Sequence, residues 1–265
     1  MSGPQPFEPL GPPPGLEPGP LETPQPLLPP PPRDPFWGYP DLALFLGLLV
    51  ASVIASLGLV DLTENIFHIQ FQAKVAEALA AQSLAYLLSF GALALLFRIH
   101  YGRPFWRSIG WISFRVPPFV VILSGASTAI GVAFIGAFIR TPTTSNRITE
   151  MLEDPKSLML VAVFGLTLAP LAEELVFRGF LQPLLVRTLG PAPGIIAAAV
   201  PFGLLHFQEY GNSWRHALLI SLAGAAFGWM RHRSGSTAAS TLMHASYNGL
   251  EFLAYFAQQK ETHHS

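Results

Sequence analysis

The sequence predicts an all-α fold, a polytopic membrane bundle of about seven to eight transmembrane helices that follows a disordered, proline-rich tail. Hydrophobic residues make up 51% of the 265 positions and charged residues only 12%, which is more apolar surface than a soluble domain of this length buries. The apolar residues occur in long uncharged runs that end at charged residues, as membrane-spanning helices do. Most of the 26 prolines precede the first of these runs.

The proline-rich segment covers residues 1–40 and includes uninterrupted proline runs at 12–14 and 29–32. Proline lacks a backbone donor and favours the extended polyproline conformation, so we expect a disordered tether. A proline-rich ligand for an adaptor domain is the less favoured alternative. Residues 259–265 are predicted to form a second, short tail.

The membrane helices are predicted from runs that approach the roughly 20 apolar residues needed to cross the hydrocarbon region. The segment 101–115 is too short and too cationic to cross, and its tryptophans and arginines indicate an interfacial amphipathic piece. We therefore expect N-terminal membrane helices within 41–140 and a second membrane domain at 157–258. The predicted spans are residues 42–60, 78–97, 118–139, 158–189, 194–207, 217–230 and 238–256.

The charges and the absence of cysteines limit which partners the protein can bind and which catalytic groups it can use. Four arginines lie between the second and third spans, which favours a cytoplasmic N-terminus for this multi-pass protein. The formal net charge of −1 provides no basic field, so we expect membrane lipid as a partner and no nucleic acid. The chain has 0 cysteines, which excludes disulfides, thiolate nucleophiles and cysteine-bound zinc. The four arginines are Arg98, Arg103, Arg107 and Arg115.

Ionisable residues occur together in the fourth span. Each such residue costs roughly 2.5 to 3.5 kcal/mol in a membrane helix, so it is a functional candidate. Glu174 and Arg178 are four residues apart, share a helix face and can form a pair with a structural role. Glu173 is rotated by about 100° around the helix and is therefore the better candidate for a working carboxylate.

Polar side chains also occur in the fifth and seventh spans. Phe202 lies one turn before His206, and His244 and Asn248 share a face of an otherwise small and apolar helix. Such groups could hold helices together at about 1 to 2 kcal/mol per contact. Two carboxylates and two imidazoles can instead activate water or bind a metal, and we favour that interpretation. Glu251 could line the same cavity or extend to the membrane interface.

The remaining histidines give no comparable signal, and we assign them no role. They are His68, His100, His216, His232, His263 and His264.

Three motifs in this order resemble the CAAX protease and bacteriocin-processing (Abi) family, which includes type II CAAX prenyl endopeptidases. The first is Glu-Glu-x-x-x-Arg at 173–178, the second is Phe-x-x-x-His at 202–206, and the third is His-x-x-x-Asn at 244–248. Each motif is weak alone, but the ordered set on hydrophobic helices is specific. The resemblance covers about residues 158–256.

The resemblance implies an intramembrane endopeptidase that hydrolyses a peptide bond of a membrane-associated protein or peptide, CAAX proteins being one such class. In family terms, Glu173 with His206 activates water, and His244 with Asn248 stabilises the oxyanion. Zinc is the alternative cofactor, with Glu173, His206 and His244 as its ligands. A glutamate-dependent mechanism uses the same residues without an ion, so both remain open. The supporting residues are Glu174, Arg178 and Phe202.

Two non-peptidase hypotheses compete with this one. A non-enzymatic membrane protein, such as a bacteriocin immunity factor or a scaffold, could use the same polar cluster for helix packing or partner binding. A small-molecule transporter would be favoured by inverted repeats and broken helices. The sequence contains no convincing internal repeat, so the transporter is the less favoured of the two.

Overall fold

A computed structural model describes residue 3 and residues 34–67, 74–142 and 155–264 of the chain. Within these ranges the regular structure is helical, without strands, which confirms the predicted all-α class. Nearly all of the predicted proline-rich tail lies outside the described residues. Residues 259–265 were predicted to form a C-terminal tail, but the last helix continues through residue 264.

The N-terminal half contains three long helices and one short one. The long helices include the first three predicted spans and extend several residues beyond the first two. They present large apolar side chains such as Leu87, Ile99 and Phe138 on their outer surface, as expected where lipid replaces water. The helices are α1 (Tyr39–Phe67), α2 (Lys74–Tyr101), α3 (Phe105–Ser108) and α4 (Pro118–Phe138).

The segment 101–115, which we predicted to be an interfacial amphipathic piece, is mostly a loop between the end of α2 at Tyr101 and the start of α4. Only the four residues of α3 are helical, and the following loop packs against the start of the last helix. Thr237 donates its backbone N–H to the Gly110 carbonyl and its hydroxyl to the Ile109 carbonyl. Ser236 donates its hydroxyl to the Ile112 carbonyl. These long-range hydrogen bonds satisfy the backbone that a continuous helix would have satisfied locally.

The fourth predicted span is one long apolar segment, Lys156–Leu189, that changes helical form along its length. Thr167 interrupts the first part, and its hydroxyl donates to the Val163 carbonyl. Arg178 lies in a π-helix, a form that occurs often at functional sites. The parts are α5 (Pro155–Leu166), α6 (Leu168–Glu174), the π-helix (Leu175–Leu181) and α7 (Gln182–Leu189).

Three further helices carry the remaining predicted spans. Four helices in the described ranges are long and apolar enough to cross a membrane, namely α1, α2, α4 and the Lys156–Leu189 segment, whereas α8 is apolar but shorter. Helices α9 and α10 are long but more polar, and α9 ends in the basic sequence 231–233. The helices are α8 (Pro191–Leu205), α9 (Trp214–Ser234) and α10 (Thr237–His264).

Glycines permit the closest helix contacts. Gly125 of α4 lies against the Met243 carbonyl of α10, and Gly203 of α8 lies against the Ala217 carbonyl of α9. Small residues at such positions let membrane helices approach closely. A hydrophobic core cluster that includes Val121, Phe227 and Met243 fills the space between α4, α9 and α10. These contacts fix the positions of α4, α8, α9 and α10 relative to one another.

The packed part of the chain begins before α1. Trp37 is 1% exposed, and its ring stacks on Phe97 at 5.2 Å and on Phe180 at 5.4 Å between centroids. Its indole N–H donates to the Phe180 carbonyl at 3.1 Å. Trp37 lies within the predicted tail, residues 1–40, although it is packed among aromatic side chains of the helices.

Candidate active site

A cavity of about 560 Å³ is lined by residues of α2, α4, α5, α6, α8, α9 and α10. The four residues predicted to carry chemistry all line it, although they come from three separate helices. The π-helix and the buried pair behind the cavity complete the site. The four residues are Glu173, His206, His244 and Asn248.

Glu174 and Arg178 form the predicted pair, and both side chains are fully buried. Arg178 donates from Nη1 to Glu174 Oε1 at 2.7 Å, and from Nη2 to the Gly224 carbonyl of α9 at 2.7 Å. Its guanidinium also lies over the Phe202 ring, 4.3 Å from the centroid. The pair therefore connects the fourth span to α8 and α9, which suits a positioning role.

His244 contacts both glutamates. Its Nδ1 lies 3.1 Å from Glu174 Oε1, and its Nε2 lies 3.8 Å from Glu173 Oε2. Because Arg178 donates to the same Glu174 oxygen, that oxygen is an acceptor and the His244 Nδ1 must donate. The ring is also stacked on Phe227 with centroids 4.5 Å apart. Glu174 thus orients His244, a contact that the motif spacing did not predict.

Glu173 is more exposed than the adjacent Glu174. Its side chain is 25% exposed, whereas that of Glu174 is 0% exposed. The angular separation of adjacent helical positions explains the difference, since Glu174 points toward Arg178 and Glu173 toward the cavity. Glu173 is therefore the carboxylate that a substrate or water molecule in the cavity can reach.

His206 caps the C-terminus of α8. Its Nδ1 lies 2.9 Å from the Phe202 carbonyl oxygen. A carbonyl only accepts, so Nδ1 carries the proton and the neutral ring has its lone pair on Nε2. Phe202 holds the same ring by an edge contact at 5.2 Å. Phe202 therefore fixes the tautomer and the orientation of a histidine that lines the cavity.

Asn248 joins α10 to the end of α5. Its Nδ2 donates to the Gly165 carbonyl at 2.8 Å, two residues before the interruption at Thr167. The amide group retains a second N–H and its oxygen for other partners. Asn248 can therefore contribute both to helix packing and to binding in the cavity.

Several cavity residues were missed or left undecided by the sequence. Glu209 and Tyr210, in the turn after α8, line the cavity, as does His216, to which we assigned no role. Glu251 also lines it, which favours the cavity interpretation over the interfacial one. Burial raises the pKa of the Glu209 carboxyl above its ordinary value, with His206 opposing and Glu173 adding to this shift. Loop residues without helical spacing give no pattern that sequence reasoning could detect.

The proposed zinc ligands do not form a preassembled metal site. Across residues 34–67, 74–142 and 155–264, no group of three or more histidine, aspartate or glutamate side chains is arranged to hold a metal ion. Glu173, His206 and His244 have suitable donor atoms for zinc. However, His244 uses Nδ1 on Glu174 and turns Nε2 toward Glu173. We therefore derive no catalytic step through a metal.

Comparison with known proteins gives one family match. The model of a family described as type II CAAX prenyl endopeptidase Rce1-like matches residues 155–250, a segment that contains all three motifs. Searches of curated proteins and of solved structures found no significant match. The match and the apolar helices indicate an integral membrane protein, and the matched segment is similar to a protease family. The resemblance predicted from the motifs is thereby confirmed, because residues 155–250 are similar to the Rce1-like type II CAAX prenyl endopeptidase family.

Proposed function

We propose that this protein is an intramembrane endopeptidase in which Glu173 and His206 activate water within the cavity. The observation that carries the proposal is the convergence of Glu173, His206, His244 and Asn248 on one cavity, inside the segment that matches a protease family. The substrate is a peptide or protein held at the membrane, with CAAX-type proteins as one class.

The proposed attack uses water as the nucleophile. Glu173 accepts a proton from water, while the Nε2 lone pair of His206 accepts a hydrogen bond from it. The water oxygen then forms a bond to the carbonyl carbon of the scissile peptide. The carbon–nitrogen bond breaks as Glu173 returns the proton to the departing amine. Atoms and charges balance without a covalent enzyme intermediate.

The developing oxyanion needs donors, and the geometry constrains them. Asn248 has a second amide N–H beyond the one given to Gly165. The His244 Nδ1 donates to Glu174 and its Nε2 faces Glu173, so this ring can also donate from Nε2 only when both of its nitrogens carry protons. One well-placed donor contributes about 3 kcal/mol to barrier reduction.

The proposal is tested by comparing membrane proteomes of cells that express the wild-type protein or Glu173→Ala. We expect new N-termini of membrane-associated proteins with the wild type only, at equal expression. Glu64→Ala, on α1 and away from the cavity lining, is the matched control and should behave as wild type. Identical terminal peptides in all three samples would favour the immunity-factor or scaffold alternative.

The cofactor is tested separately. Zinc remains a proposal that the donor atoms of Glu173, His206 and His244 permit, whereas the observed arrangement favours the glutamate-dependent route. We expect full cleavage activity after dialysis of the purified protein against a tight chelator. Loss of activity that added zinc restores would assign these three residues to a metal.

A further inference from the structure

A second cavity, of about 240 Å³, lies where several helices begin or end. Its walls come from residues 34–37 before α1, from Ser108 at the end of α3, from α7, and from the end of α9. Among the described residues, it shares no lining residue with the candidate active site. Because one water molecule occupies about 30 Å³ in the liquid, the cavity has room for a small polar group.

This second cavity has an excess of positive charge. The guanidinium groups of Arg187 and Arg231 line it, with His232 beside them. Neither guanidinium forms an ion pair with a carboxylate of the described residues. Asp34 also lines the cavity and interacts electrostatically with Arg231, but its side chain is exposed. Two arginines therefore share a single, exposed carboxylate.

The Arg231 guanidinium is held in place by the loop after α3 and the start of α10. Its Nε donates to Thr237 Oγ1 at 3.0 Å, and the Thr237 hydroxyl donates to the Ile109 carbonyl. A Cβ at Gly110, where φ is +73°, would overlap its Nη2. Burial lowers the pKa of Arg231, and Asp34 opposes this shift. The group is thus fixed and partly desolvated, and its Nη1 and Nη2 donate to no group in the described ranges.

Arg187 supplies the second set of donors. Its Nη1 donates to the Pro35 carbonyl, which leaves the other N–H groups of the guanidinium for a ligand. The planar fork of N–H groups on each arginine matches the oxygens of a phosphate group. Two such forks on one cavity therefore favour a phosphate.

The cavity also lies at the depth of the lipid headgroups. Arg187 is in the last turn of α7, at the end of the apolar segment Lys156–Leu189, and Arg231 is in the last turn of α9. The ends of membrane-spanning segments meet the headgroup region. Basic pockets between membrane helices at this depth bind anionic headgroups.

We propose that this cavity binds the phosphate group of an anionic phospholipid, with Arg187 and Arg231 as its charge partners. A free phosphate ion has the same chemistry, but the position at the end of a membrane-spanning segment favours a lipid. The inference does not depend on peptidase activity, because the cavity is separate from the residues proposed to carry the chemistry.

The test is native mass spectrometry of the full-length protein in detergent, titrated with phosphatidylglycerol or with phosphatidylcholine. The choline of the second lipid neutralises its phosphate, so we expect the Kd for phosphatidylglycerol to be at least about tenfold lower. Such a difference corresponds to about 1.4 kcal/mol. Inorganic phosphate at the same concentration as the lipid should not displace phosphatidylglycerol.

Variants connect the binding to the cavity. The double variant Arg187→Gln, Arg231→Gln should raise the Kd for phosphatidylglycerol at least about tenfold. The matched control Arg107→Gln, Arg233→Gln removes two exposed arginines that do not line the cavity and should change the Kd less than about twofold. Asp34→Asn should lower the Kd at least about threefold, because it removes the carboxylate that faces Arg231.

The single variant Arg187→Gln keeps the test decisive if substitution of Arg231 prevents folding. Because Arg187 is exposed, we expect an unfolding temperature close to that of the wild type and a Kd raised at least about threefold.

The control variants determine what would overturn the inference. Equal weakening by the two double variants would show that surface charge alone attracts the lipid. Equal Kd values for the two lipids, or an unchanged Kd in Arg187→Gln, would exclude a phosphate site for anionic lipid. Displacement of the lipid by an equal concentration of inorganic phosphate would assign the cavity to free phosphate instead.

Discussion

At the scale of single residues, two adjacent glutamates have opposite surroundings. Glu174 is buried and receives hydrogen bonds from Arg178 and His244, whereas Glu173 is partly exposed to the cavity. One helical step of about 100° produces this division. We therefore expect substitution of Glu174 to affect folding and substitution of Glu173 to affect catalysis.

Substitution of Glu174 should mainly affect stability. Glu174→Gln removes the charge that compensates buried Arg178, and breaking such a pair costs about 3 to 5 kcal/mol. We expect a large fall in the thermal unfolding temperature in detergent, followed by circular dichroism. Glu173→Gln should unfold within a few degrees of the wild type. Equal destabilisation by the two variants would contradict the division of roles.

The Glu209 carboxyl gives a pH-dependent prediction. Because burial raises its pKa, it stays protonated to higher pH than an exposed glutamate and becomes anionic only as pH rises through that raised pKa. Glu173 and His206 face it. The ratio of kcat/KM for a lysine-containing peptide to that for its neutral counterpart should therefore rise from pH 5 to 8, because an anionic Glu209 attracts the lysine.

Glu209→Gln is the control for this pH dependence, since Glu173 and His206 remain in the variant. We expect its peptide preference to change less over the same pH range. A pH response as large as that of the wild type would show that another group is responsible.

At the scale of elements, close packing at glycines defines the contact between α4 and α10. A methyl group at Gly125 would overlap the Met243 carbonyl, whereas one at Gly131 on the same helix meets nothing within 4 Å. Gly125→Ala should therefore destabilise the protein by roughly 1 to 3 kcal/mol, measured by unfolding in detergent. Gly131→Ala should be neutral or slightly stabilising. The prediction fails if both substitutions have the same effect.

The positions of most helices could be predicted from the sequence, whereas the packing of the segments that connect or precede them could not. Long apolar runs locate α1, α2 and α4 because the membrane requires a fixed span. The packing of the loop after α3 was not predicted, because its carbonyls accept hydrogen bonds from Ser236 and Thr237, more than 120 residues away. Trp37 was missed for the same reason, since its partners lie in α2 and the π-helix. Such contacts leave no local periodicity.

At the scale of the whole molecule, polarity within apolar helices predicted which residues meet. Glu173, His206, His244 and Asn248 line one cavity, as expected for groups that would otherwise be unsatisfied in lipid. The sequence did not predict that Glu174 orients His244, or that Glu209 lies beside the site. Those features depend on helix rotation and on a turn between α8 and α9.

The orientation of the bundle remains a prediction from the four arginines between the second and third predicted spans. The chain has 0 cysteines, so a single introduced cysteine reports its own location. In intact cells, we expect an impermeant maleimide to label Gln208→Cys but not Trp106→Cys, and both after lysis. Gln208 is an exposed residue of the turn after α8, and Trp106 is an exposed residue of the short helix α3. Labelling of Trp106→Cys alone in intact cells would place the N-terminus outside.

The central claim is that Glu173 acts as the base in peptide hydrolysis within the membrane. Its most direct test is the cleavage rate of a saturating prenylated, C-terminally amidated peptide by wild-type protein and Glu173→Gln in the same nanodiscs, with matched unfolding temperatures. We predict measurable turnover by the wild type and a loss of at least about 100-fold in the variant, as expected for removal of a general base. Turnover at the wild-type rate by Glu173→Gln would contradict the claim.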